Sequence, residues 1–117
     1  LACRPAAQAA AGDVARTASD SMLLTDLAVL AADSMEGRAV GTPGGARARR
    51  YVLRRFAEEG IRPFGAGHEQ PITVPASGTR AERRGANVVG WLPGSDTGAD
   101  STARRWIVIT AHYDHVG

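Results

Sequence analysis

Close to the end of the chain, Trp106-Ile107-Val108-Ile109-Thr110-Ala111 forms an almost unbroken β-favouring run. Aromatic and β-branched side chains fit a pleated surface. A run without polar alternation suits a strand covered on both faces, the usual situation in sheets flanked by helices. Residues 106–111 are therefore expected to form the most buried strand, and the chain to build an α/β protein.

The elements upstream agree with that class. Leu23, Leu24, Leu27, Leu30 and Ala31 recur at helical spacing between about Asp20 and Asp33, with Ser19, Asp20 and Ser21 available as caps. This predicts a first helix with its leucines toward the core and Thr25, Asp26 and Asp33 opposite. A glycine-rich loop, Ser34 to Gly45, follows. In it Thr42 is suited to cap a second helix, and Pro43 to its first position. That helix should run to about Glu59, burying Ala48, Val52, Leu53 and Phe56, with Arg47, Arg50, Arg54 and Glu58 on a solvated face. Gly60 is a natural stop. Two weaker strands are expected at Ile72–Val74 and Asn87–Leu92, the second closed by Pro93-Gly94. Ser95 to Arg105 reads as a polar surface loop.

Residues 1–18 are rich in alanine and lack periodicity, so they read as a flexible tether, with the folded portion spanning 19–117. Leu1-Ala2-Cys3 resembles the end of a bacterial lipoprotein signal, in which the cysteine is lipidated. A chance cysteine in an alanine-rich leader fits the same residues equally well. Cys3 is the only cysteine, so no disulfide can form within the chain. No stretch approaches the roughly 20 apolar residues of a membrane-spanning helix. All 14 basic residues are arginine and the net charge is +2. The arginines are scattered, which argues against a nucleic-acid-binding surface. A chain that starts at Leu1 and ends at Gly117, directly after its most strand-like run, reads as part of a longer protein.

The chemistry-bearing segment is Ala111-His112-Tyr113-Asp114-His115-Val116-Gly117, at the carboxyl end of the expected strand. Sites in open α/β sheets gather there. Alternation turns His112 and Asp114 to one face and Tyr113 and His115 to the other. Asp114 can then accept a hydrogen bond from one imidazole nitrogen of His112 and leave the other as a metal donor. His-x-Asp triplets also occur in ordinary turns, where they do nothing of the kind. His68, in a glycine-containing loop beside Glu69, reads as a solvated histidine, and His115 as a surface histidine after the strand. Tyr113 reads as a packing residue.

Four blocks occur in order: Ala32-Asp33-Ser34-Met35-Glu36-Gly37-Arg38; Gly41-Thr42-Pro43-Gly44 leading into a helix with Tyr51; Asn87-Val88-Val89-Gly90; and Ile107-Val108-Ile109-Thr110-Ala111-His112-Tyr113-Asp114-His115. This series resembles the start of the zinc-dependent aminopeptidases related to bacterial leucyl aminopeptidases, over about residues 20 to 117. The resemblance implies a three-layer α/β/α fold with a mixed sheet, of which this chain would hold two helices and about three strands. It implies two zinc ions at strand ends, with His112 as a metal ligand and Asp114 as a carboxylate counted among the catalytic residues. It also implies peptide substrates cleaved at their N-terminus, and export to the periplasm or outer cell surface, with anchoring to the membrane if Cys3 is lipidated. The remaining ligands and a glutamate base would follow Gly117, so this stretch alone should be inactive. His115 departs from the small polar residue that many relatives carry. Two other functions fit the same blocks: a single-zinc acyltransferase like the glutaminyl cyclases, and a binding module that has lost its metals.

Overall fold

The structure is a computed structural model, and it describes residues 20–94 and 106–115. The tether and Cys3 lie outside the described residues, as does the loop expected at Ser95 to Arg105. Two helices are followed by short antiparallel strand pairs, a small mixed α/β arrangement.

Helix α1, Asp20–Ala31, opens with an acidic residue at its positively polarised end. It ends at Ala31 rather than Asp33, where the chain turns into a 3-10 segment, Asp33–Arg38. The expected inward leucine face is not found. Leu23, Leu24 and Leu27 are 51%, 65% and 63% exposed, and no residue of α1 is buried. Asp26 turns toward the second helix instead, accepting from the Tyr51 hydroxyl at 2.5 Å and pairing with Arg55 Nε at 3.1 Å. Polar partners rather than apolar contacts thus set the rotation of α1.

Helix α2, Pro43–Glu58, follows its sequence signals closely. The Thr42 side chain accepts from Gly45 N at 3.1 Å and donates to Ala39 O at 2.7 Å, with Pro43 at the first position. At the other end Gly60 takes a left-handed conformation (φ +66°). Gly60 N then donates to Ala57 O, and Ile61 N to Phe56 O, which is the Schellman arrangement. The buried stripe is Gly44, Gly45, Ala48 and Tyr51. Val52, Leu53 and Phe56, expected in the core, are half-buried. The stripe shifts because the 3-10 segment packs on the N-terminal half of α2, where two glycines allow close approach. Met35, Ala39, Ala48, Tyr51 and Ala86 form the small core.

Strand β1, Arg62–Pro63, pairs with β4, Gly90–Trp91. Strand β2, Glu69–Val74, pairs with β3, Arg83–Val88, in register from Glu69 opposite Val88 to Val74 opposite Arg83. The Ile72–Val74 expectation was therefore too short. The Asn87–Leu92 expectation joined two separate strands and missed the start of β3. Residues 106–111 form no strand. Ile107, Val108 and Ile109 are 90%, 80% and 89% exposed, so the expected most buried strand is an uncovered segment with no ladder partner among the described residues. Its composition suits a strand, but a buried strand requires ladder partners on its edges and layers on its faces. The described strands pair only within their own two pairs.

Candidate metal-ligand site

The end of this segment returns to the body of the protein. Tyr113 is half-buried, and its hydroxyl donates to Ala86 O of β3 at 2.5 Å. Arg38 Nε donates to Tyr113 O at 3.0 Å. Burial raises the Tyr113 pKa above its ordinary value, while the nearby Arg49 charge pulls it down. His112 and Asp114, on either side of Tyr113, line the same cleft as Tyr113.

Asp114 Oδ1 lies 3.1 Å from His112 Nδ1. A carboxylate accepts, so Nδ1 carries the proton in the neutral imidazole and Nε2 retains its lone pair. The His112 side chain is 93% exposed, leaving Nε2 open to a partner from outside. The same carboxylate–imidazole contact is what orients a histidine ligand in carboxylate–histidine–metal arrangements. Among the described residues, no three His, Cys, Asp or Glu side chains gather as a metal-binding group. A zinc site takes at least three protein ligands. His112 with Asp114 fits one corner of such a site, and the described residues do not make the rest, so no hydrolytic step can be derived from them.

The pair opens onto a cleft of about 410 Å³ between the start of α2 and the β2–β3 pair. Arg38, Arg49, Arg84 and Asp114 are its charged lining residues. Arg49 is held by Glu69 at 2.6 Å, while Arg84 lies 3.7 Å from Glu82.

His115 is exposed. His68 departs from the solvated loop histidine expected of it. It is half-buried, its Nδ1 donates to Val89 O at 3.0 Å, and its ring meets Phe56 edge-on at 5.5 Å. Val89 N returns a bond to His68 O at 2.8 Å, so His68 stitches the entry of β2 to the link between β3 and β4. Sequence reasoning assigned Arg38 no role. Its sequence signal was its place in the Met35-Glu36-Gly37-Arg38 block, but nothing local reveals a partner 75 residues away.

Comparison with protein-family models, with curated proteins and with solved structures gave no match. Among the described residues no helix is long and apolar enough to cross a membrane.

Proposed function

We propose that this chain is the N-terminal portion of an exported zinc-dependent aminopeptidase, with His112 as a metal ligand and Asp114 as the carboxylate that orients it. The observation that carries the reading is the 3.1 Å contact between His112 Nδ1 and Asp114 Oδ1 on an exposed, cleft-facing segment. That contact fixes the tautomer with a lone pair on Nε2 and raises the basicity of the ligand. The ordered sequence blocks supply the reaction class. In this reading residues 106–111 become an inner strand of a three-layer α/β/α sheet in the longer protein, and the other metal ligands and the general base follow Gly117. Two zinc ions would then supply a metal-activated water for attack on the N-terminal peptide bond. What this chain contributes is one oriented imidazole, its carboxylate and one wall of the cleft.

The test is His112→Ala in the full-length protein, read as zinc content by elemental analysis and as hydrolysis of an aminoacyl-nitroanilide. Joint loss of metal and activity is expected. Full zinc content and full activity in that variant would remove the basis of the metallopeptidase reading.

A further inference from the structure

We infer that Arg38 and Tyr113 form a brace that positions the His112–Asp114 pair, with Arg38 as a positioning residue for the site. The inference rests on the reading given under Proposed function. Among the described residues, hydrogen bonds from Arg38, from Arg49 and to Ala86 O tie the end of the 106–115 segment to the body of the protein, and all of them converge on Tyr113, between the two site residues. The Tyr113 hydroxyl reaches Ala86 O of β3, and the Tyr113 carbonyl receives Arg38 Nε. The residue is therefore held both at its ring and at its backbone. Holding the ring and carbonyl of Tyr113 restricts the backbone from which the side chains at 112 and 114 project.

Arg38 is built for this task. Its Nη1 also donates to Leu30 O at the end of α1, so one planar guanidinium bridges two main-chain carbonyls from distant parts of the chain. Lysine, a point charge with a rotating head, does not reproduce such a fork. The backbone reaches this position through an uncommon route. Glu36, Gly37 and Arg38 all have positive φ, at 49°, 69° and 58°. For the two non-glycine residues this conformation costs about 1–2 kcal/mol each. Strain of this kind persists where surrounding structure over-determines it, and it accumulates at functional sites. Here it carries the Arg38 side chain from the 3-10 segment to the edge of the cleft, which it also lines. Tyr113 and Arg38 touch the site through its backbone, so they act on orientation rather than as ligands.

The experiment uses the full-length protein with Tyr113→Phe, which removes one hydroxyl, and Arg38→Lys, which keeps the charge and loses the fork. Zinc content, kcat, KM and amide hydrogen exchange across residues 106–115 are measured for both, with His112→Ala alongside. The brace predicts retained zinc, near-unchanged KM, a fall in kcat of about 10-fold and faster exchange at residues 112–115. Wild-type kcat in both folded variants overturns it, provided that His112→Ala is inactive. Should His112→Ala keep its zinc and activity, the peptidase reading is what fails, and the brace is decided by exchange alone. Unchanged protection at residues 112–115 then overturns it. Arg38→Ala adds a third variant, and if it does not fold, Tyr113→Phe carries the decision.

Discussion

The backbone of Gly44 rests on the carbonyl of Met35, so closely that a Cβ at position 44 would overlap that oxygen. Gly45 sits the same way on Ala39 O. The two glycines let the 3-10 segment lie on the first turn of α2, and this contact positions both Met35 in the core and Arg38 at the cleft. Gly44→Ala should therefore destabilise the protein by about 1–3 kcal/mol, because backbone rather than a movable side chain must give way. Gly67→Ala is the matched control, since nothing lies within 4 Å of a Cβ there. Urea denaturation of both variants checks the contrast, and equal stabilities would show that the contact is not tight.

The Asp26–Tyr51 bond gives a second prediction. A hydrogen bond to a charged group contributes about 1.5–3 kcal/mol, and this one couples α1 to α2 with Arg55 on the same carboxylate oxygen. Tyr51→Phe should lower stability by an amount of that order and raise amide exchange throughout α1. Leu24→Ser, at a position 65% exposed, should change stability by less than about 0.5 kcal/mol. The reverse ranking would mean that the leucine face of α1 is covered after all.

These two contacts show what was legible in the sequence. Helix α2 was, because Thr42, Pro43 and Gly60 act within a few residues of themselves. The existence of α1 was legible too, since leucine spacing reports periodicity. Its orientation was not, because the partners of Asp26 are Tyr51 and Arg55, a whole element away. Residues 106–111 show the same limit more sharply. Their composition reports fitness for a strand, whereas pairing depends on neighbours that composition does not name. The His112–Asp114 contact was readable because it is local, two residues apart. The bonds holding Tyr113 were not, because they span 27 and 75 residues.

Both tyrosines of the chain should titrate high. Tyr51 is raised chiefly by its hydrogen bond to Asp26, and Tyr113 chiefly by burial. A raised folded-state pKa keeps the neutral phenol favoured in the native protein. The associated stability is fully present below the unfolded value of about 10. It declines as pH rises from there through the folded values, because the unfolded chain then binds fewer protons. Phenolate absorbance should accordingly appear at higher pH in the native protein than in urea, and stability should fall with pH above about 10. Coincident native and unfolded titration curves would contradict the Asp26–Tyr51 bond and the burial of Tyr113.

The order of effects along the site segment supplies the last prediction, in the full-length protein. Asp114 acts on the metal only through the imidazole, with its Oδ1 on His112 Nδ1. Asp114→Asn keeps an acceptor for the Nδ1 proton, so the tautomer survives and most of the zinc should remain. It removes the negative charge that raises the basicity of the ligand, and loss of such a partner costs about 10–100-fold in affinity or activity. His115→Ala should do less than Asp114→Asn, because alternation turns His115 away from the face shared by His112 and Asp114. It is also exposed, and truncating it opens no core. Zinc content and aminoacyl-nitroanilide hydrolysis measured on both variants give the ranking. A larger loss at His115 than at Asp114 would place the metal on the opposite face of the segment, beside the Tyr113 ring, and would reverse the roles assigned to the two faces.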